Sequence, residues 1–372
     1  MLGLFVKRHF EAVSLFHESY LVYVMPVAGQ KKKFDFEIER GTNNAEIIVY
    51  YRDFKRKVPI IQNIAKGIKY ITAVNKGINI LKNEGKDFDF IHVHILTRLG
   101  LWGLWYKLTR NIPYGITEHW SRYQPVTGNY KGFLRKIVTK HVVKKASFVS
   151  TVTDNLRKAM VAHGLKNNNY FVLPNVVPGE FIATKQRKTQ PKKVFIHVST
   201  FEDKSKNISG IIKVAGKLEK LKNDFIIKLV GDGEDFAAMK SLAEQTVKSP
   251  ETLEFTGILT GNSLVEEMAN AEALIVFSNY ENFPVVINEA LTIGLPVIAT
   301  NVGGISETIN SDNGILLKAG DEEALLKSIT DIAEGKLSFD REKIRNLYGN
   351  KYSYEAIGKI LSEKYSLLTR RG

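Results

Sequence analysis

Two carboxylates open the functional reading. Glu281 and Glu289 stand with seven residues between them in Ser278-Asn-Tyr-Glu-Asn-Phe-Pro-Val-Val-Ile-Asn-Glu-Ala290. A strand-like run, Ala273-Leu-Ile-Val-Phe277, precedes them, and Gly294-Leu-Pro-Val-Ile-Ala-Thr300 with Gly303-Gly304 follows. Pro284 fits the first turn of a helix, where its missing N–H costs nothing and its φ is already helical. Glu281 is then expected in the loop before that helix, and Glu289 about a turn and a half inside it. Free backbone N–H groups around Phe283 to Val285 would face the same crevice. Two carboxylates beside an anion-binding helix start suit a ligand that carries both phosphate and sugar hydroxyls.

The elements that must position these groups alternate regularly. In the second half, strands are expected at Val194–Val198, Phe225–Val230, Thr252–Phe255, Ala273–Phe277, Pro296–Ala299 and Ile315–Leu317. Helices fall between them at Ile208–Leu221, Phe236–Gln245, Leu264–Ala269, from Pro284, and at Glu322–Ile332. Continuous apolar strands alternating with helices imply a parallel sheet covered on both faces. The first half keeps the rhythm, with strands at Tyr20–Met25, Glu46–Tyr50, Phe88–Val93, Tyr114–Thr117, Phe148–Val152 and Tyr170–Leu173. Its helical stretches are Val58–Leu81, Leu99–Leu108, Phe133–Lys145 and Asp154–His163. A polar, basic segment, Thr184–Lys193, reads as a linker. The expected fold class is therefore α/β: two doubly wound, Rossmann-like domains, residues 1–178 and 179–351, facing across a cleft. A last helix within 352–372 is expected to pack back on the first domain.

Size and charge narrow the function classes. The 372 residues are 44% apolar, enough for two real cores. With no cysteine, a disulfide framework and a thiolate metal site are excluded, and a reducing compartment is the natural reading. No apolar run reaches the roughly 18 residues of a membrane span, and the start lacks the order of a secretory signal. Cytoplasmic placement, with possible peripheral attachment to the inner membrane face, is the expectation. The net charge of +14 is uneven: residues 1–178 carry 28 basic against 12 acidic groups, residues 179–372 carry 25 against 27. The first half should meet something anionic. Lys131–Lys145 is cationic on one face and apolar on the other; sheet packing accounts for the apolar face, and an anionic membrane surface could take the cationic one. No nucleic-acid recognition motif accompanies the charge.

From Phe255 to Leu317 the chain resembles the donor-binding half of the family 4 retaining glycosyltransferases, which share the two-domain GT-B fold. The matching pieces are Phe255-Thr-Gly257, Glu281 with Glu289, Gly294-Leu-Pro-Val-Ile-Ala-Thr300, Gly303-Gly304 with Glu307, and Asn313-Gly-Ile-Leu-Leu317. A lone pair of glutamates at that spacing would be weak; the ordered coincidence is specific. Val230-Gly-Asp-Gly233, Lys204-Ser-Lys-Asn207, Leu173-Pro-Asn-Val176, Phe90-Ile-His-Val-His94 and Ile116-Thr-Glu-His-Trp120 extend the resemblance upstream.

The resemblance implies a nucleoside-diphosphate-sugar donor and a glycan or lipid-linked acceptor, with neither cofactor nor metal. It implies that Lys206, or Lys204, and the helix start at Phe283–Val285 offset charge on the departing diphosphate. Glu289 would hold the ribose hydroxyls, Glu281 the transferred sugar, and His119 would reach in from the first domain. Thr256, Gly257 and Asn282 complete the implied donor contacts. Three departures stand out: His197-Val-Ser-Thr-Phe201 lacks the family's arginine, Asn175-Val-Val-Pro178 lacks its aspartate, and the first domain apparently lacks its opening strand, since Met1–Ala12 already resembles the first helix. These leave a non-catalytic nucleotide-sugar- or glycan-binding subunit as the alternative, and a nucleotide-sugar epimerase behind it.

Simpler readings cover the remaining motifs. Gly231 and Gly233 read as a turn, because no third glycine follows at the dinucleotide-binding spacing. His92 and His94 share one face of a strand, and with no third ligand evident they read as strand packing. Asp87 and Asp89 read as a polar turn before the strand.

Overall fold

The computed structural model describes residues 3–53, 59–183, 192–221 and 225–369. Most of the expected linker (184–191) and Val58, the expected first residue of a helix, lie outside them.

The first domain runs α1 (Leu4–Ser14), β1 (Ser19–Val27), β2 (Phe34–Arg40), β3 (Asn44–Arg52), α2 (Pro59–Asn83), β4 (Ile91–His94), α3 (Leu96–Arg110), β5 (Tyr114–Glu118), α4 (Phe133–Lys145), β6 (Phe148–Thr151), α5 (Asp154–Ala162) and β7 (Tyr170–Val172). Its strands form two sheets, ordered β1-β3-β2 and β4-β5-β6-β7. All pairings are parallel except β2 on β3. The antiparallel strand β2 was not expected, although Phe34, Phe36 and Ile38 alternate with Asp35, Glu37 and Glu39, the pattern of a half-solvated edge. The two sheets share one core, yet β1 and β4 each keep an edge without a strand partner among the described residues.

The second domain follows α6 (Gly179–Ala183) with β8 (Lys193–Val198), α7 (Asp203–Lys206), α8 (Ile208–Leu218), β9 (Phe225–Val230), α9 (Phe236–Thr246), β10 (Leu253–Gly257), α10 (Gly261–Asn270), β11 (Ala273–Val276), α11 (Val285–Thr292), β12 (Val297–Thr300), β13 (Gly314–Leu317), α12 (Glu322–Ala333) and α13 (Arg341–Tyr348). Its six strands lie in the order β10-β9-β8-β11-β12-β13, all parallel. This is the doubly wound order, with its switch point between β8 and β11. β11 and β12 are buried at every position, as central strands covered on both faces must be. Side-chain caps start α12 and α13: Asp321 accepts from the Ala324 N–H and Asp340 from the Lys343 N–H.

α14 (Tyr354–Thr369) returns to the first domain and packs on α1. Gly358 permits the approach, since a Cβ there would stand 2.2 Å from the Ala12 carbonyl oxygen. His17 Nε2 meets Ser362 Oγ at 2.8 Å, and Tyr354 donates to Glu11 at 2.9 Å.

The expected packing of α4 needs correcting. Only Thr139, Val142 and Val143 are buried, whereas Phe133, Leu134 and Ile137 are 82%, 74% and 50% exposed. The first turns of the helix present these apolar residues to solvent, so sheet packing does not account for its whole apolar face.

Candidate active site

The chain enters the switch point twice, after β8 and after β11, and the two loops are tied together. The Asn279 N–H donates to the Ser205 carbonyl at 2.8 Å, and Asn279 Nδ2 to the Lys204 carbonyl at 3.2 Å. α7 ends at Asn207, whose φ of 52° closes the turn in the left-handed region that asparagine tolerates. Lys206 is thereby aimed at Glu281, with Nζ bonded to Oε1; Ser278 Oγ donates to the same oxygen at 3.1 Å. Gly303, at φ 60°, lies flat on this loop, because a Cβ would stand 2.0 Å from the Glu281 carbonyl oxygen. Gly303 is therefore a steric requirement of the glutamate loop, and Gly304 of the contact between domains, since a Cβ there would stand 2.4 Å from Thr153 Cγ2.

α11 begins one residue later than expected. Pro284 is its N-cap, with ψ 125°, and Val285 its first helical residue. Phe283 and Val285 line the cleft; the Ile287 N–H donates to the Pro284 carbonyl at 3.1 Å, which leaves the N–H groups of Val285 and Val286 as the helix start without an intrahelical acceptor. Gly294 (φ 77°) ends the helix, with the Leu295 N–H reaching back to the Ala290 carbonyl at 2.8 Å.

A cavity of about 720 Å³ lies between the domains. The second domain lines it with Lys206, Glu281, Asn282 and Glu202; the first contributes His119, Arg122, Arg135 and Phe5. Arg122 stacks on Trp120, 3.8 Å from the ring centroid. Asn175 Oδ1 on this wall is buried without a hydrogen-bond partner, an acceptor available to a ligand hydroxyl. The domains are latched across the cleft. Asn282 Nδ2 donates to the His119 carbonyl at 2.6 Å and Gln124 Nε2 to Asn282 Oδ1 at 3.3 Å. Glu307 accepts from the N–H groups of Asp154 and Asn155 at 2.7 and 2.6 Å, capping α5 from the other domain.

Glu118 builds the His119 loop, a role the sequence reading missed. It is fully buried, and its oxygens accept from the N–H groups of Leu96, His119 and Trp120 and from the Tyr123 hydroxyl. Burial raises its pKa against those bonds. His119 sits under Phe5, ring centroids 4.1 Å apart, and 3.2 Å from His94 Nδ1. Burial holds both imidazoles well below their ordinary pKa, hence neutral at pH 7. His9 behaves alike, held at about 4 by burial.

Other expected site residues are placed differently. Glu289 is buried and does not line the cavity; Arg8 of α1 covers it, Nη1 3.1 Å from Oε1. Burial raises the Glu289 pKa and Arg8 opposes the rise. Lys204 is exposed and lines no part of the cleft; only its backbone carbonyl is used. Thr256 and Gly257 end β10 without lining the cavity, the Gly257 carbonyl accepting from the Gly231 N–H at 2.9 Å. His92 is satisfied by Tyr365 Oη at 2.5 Å and Thr117 Oγ1 at 2.6 Å. Asp87 and Asp89 line a separate groove with Lys82 and Lys86, away from the cleft residues. Arg8, Arg122 and Arg135 were missed: Arg135 lay in a helix expected from its periodicity and Arg8 in one expected from the resemblance, while Arg122 lies in a short turn, Ser121–Tyr123, that was not expected at all.

Two Rossmann-like domains closing on a shared cleft, with cation, carboxylate and histidine on its walls, define the GT-B class of transferases. Residues 21–181 match the family model described as Glycosyltransferase Family 4, and residues 179–351 the model for Glycosyl transferases group 1. The chain belongs to the group 1, family 4 glycosyltransferases. It is 26% identical over 331 residues to an uncharacterized glycosyltransferase of Methanocaldococcus jannaschii, covering 85% of this chain and 83% of that one. Among solved structures it resembles the sucrose-phosphate synthase of Thermosynechococcus elongatus, with a TM-score of 0.74, 18% identity and coverage of 99% and 94%. It also resembles the Anabaena protein HepE in complex with UDP, with a TM-score of 0.66, 17% identity and 86% of each chain covered. At those identities the two structures speak to the fold.

Proposed function

We propose that this glycosyltransferase is a retaining enzyme that moves a sugar from a nucleoside-diphosphate-sugar to a hydroxyl of a glycan or lipid-linked acceptor. The observation that carries the reading is the Lys206–Glu281 pair at the switch point, with His119 on the opposite wall of the same cavity. Transfer leaves negative charge on a diphosphate, and Lys206 with the α11 N–H groups lies where such charge would be offset. Glu281 is freed from Lys206 as the phosphate takes the ammonium, and then accepts from hydroxyls of the sugar. Attack and departure on one face let the leaving phosphate oxygen take the acceptor proton, so neither glutamate acts as a nucleophile and no metal is required. HepE, of the same fold, was solved with UDP, which supports a nucleoside-diphosphate donor.

Glu289 reaches a ribose only if Arg8 releases it. On this reading donor binding exchanges the Arg8 contact for two ribose hydroxyls, leaving Arg8 beside the diphosphate. The acceptor is argued from the first domain. Phe133, Leu134 and Ile137 project from a helix that also carries Arg135, Lys136, Lys140, Lys144 and Lys145, a composition suited to anionic lipid. No helix among the described residues is long and apolar enough to cross a membrane, so attachment would be at the surface.

Donor hydrolysis across a panel of nucleotide-sugars, wild type against Glu281→Ala and Lys206→Ala, tests the assignment. Release of nucleoside diphosphate by the wild type that falls in both variants is expected. Equal turnover in all three would overturn it.

A further inference from the structure

Three imidazoles from separate elements meet at the cleft edge of the first domain: His9 on α1, His94 at the end of β4 and His119 just past β5. One ring nitrogen of each lies within 4.8 Å of the others. His94 and His119 stack with centroids 5.5 Å apart, and the His9 centroid is 5.6 and 5.8 Å from theirs. His9 is only 1% exposed. Its Nε2 lies 3.0 Å from the Pro174 carbonyl oxygen, which can only accept, so Nε2 carries the ring proton. Nδ1 is left as a lone pair, buried and without any hydrogen-bond partner. A buried acceptor with nothing to accept needs an explanation.

We infer that His9, His94 and His119 form a binding site for a zinc-class divalent transition metal. Imidazole nitrogens suit zinc, copper, nickel and cobalt, and hard oxygen-seeking cations find no free carboxylate in the cluster, since both Glu118 oxygens are occupied. The ligands are already neutral, the form that binds metal. The bond from His9 Nε2 to a backbone carbonyl is the orienting contact that metal-bound imidazoles usually have. Zinc–nitrogen bonds of about 2.0–2.1 Å place tetrahedral ligand atoms roughly 3.4 Å apart. His94 and His119 are at that spacing, and His9 must move inward by little more than about 1 Å. His119 also lines the cavity, so the cluster borders the cleft. An ion held there would tie up His119, a wall residue of the cavity used by the proposed transfer, making the site inhibitory. The metal site itself does not depend on that transfer.

The test is a titration of the full chain, stripped with chelator, using cobalt(II) read by its visible absorption and zinc(II) as competitor. One equivalent of cobalt per chain, displaced by zinc, is expected. The bands should vanish in His94→Ala, weaken at least about tenfold in affinity in His9→Gln, and persist in His141→Ala, which alters an exposed histidine of α4. Should the variants fold poorly, the wild type alone decides, by stoichiometric binding and a zinc-dependent rise in melting temperature. Binding weaker than millimolar, or equally strong in His9→Gln and His94→Ala, overturns the site.

Discussion

At the scale of single residues, the cleft is held together by charges that a ligand must rearrange. Lys206 neutralises Glu281, and Arg8 neutralises Glu289, each while the donor is absent. Replacing Lys206 by alanine should lower kcat by about 100- to 1000-fold, the usual loss for one group that stabilises leaving-group charge. The melting temperature should stay within a few degrees, because the pair is still partly open to water. Arg8→Ala should act differently. It strands a buried carboxylate and should cost about 3 kcal/mol in chemical denaturation. Adding Glu289→Gln should recover much of that loss; an additive double variant would show that the two side chains are not coupled.

At the scale of elements, two helices carry more than their periodicity. α4 shows Phe133 and Leu134 to solvent, so Phe133→Asp with Leu134→Asp should change stability by no more than about 0.5 kcal/mol each. The same double variant should lose cosedimentation with anionic vesicles while keeping turnover of a soluble acceptor. α14 closes on α1 through Gly358. Gly358→Val should force the helices apart and cost roughly 1–3 kcal/mol. The six strands of the second domain and the helices between them were legible, because buried parallel strands are short unbroken apolar runs, whereas α6, α7 and α13 were not expected. β2 was not, since its alternating acids resemble a loop unless a partner strand is known. Pro284 shifted by one residue because proline satisfies both the N-cap and the first helical position.

At the scale of the whole molecule, buried histidines set the acid response. His9, His92 and His197 are held near 4, 3 and 4, and His94 and His119 also lie well below their ordinary value, all chiefly by burial. Their unfolded counterparts titrate near 6.5. Below that pH the unfolded chain takes up protons that the native rings refuse, so stability should fall as pH drops from about 6.5 towards 4. Above about 7 this source is silent. Glu118 and Glu289, raised by burial, work the other way but are fewer. Thermal melts between pH 7.5 and 5 should show the decline, and a flat profile would contradict the burial of these rings. The domain latch is testable at the same scale. Glu307→Ala removes the carboxylate that caps α5 across the cleft and should open the molecule, raising its radius of gyration in solution scattering.

The chain alone determined what depends on neighbours in sequence: the strand–helix rhythm, the loop holding Glu281, the helix start at Phe283–Val285, and the glycines around them. These follow from period, φ restriction and capping, which act over a few residues. Only the tertiary structure decided which distant groups meet. Lys206 finds Glu281 across 75 residues because the doubly wound order sets β8 beside β11. Arg8 finds Glu289 across 281 residues, and His9 joins His94 and His119, because α1 docks at the cleft under α14. Strand order and helix docking are settled by the burial of whole faces, which no local spacing encodes.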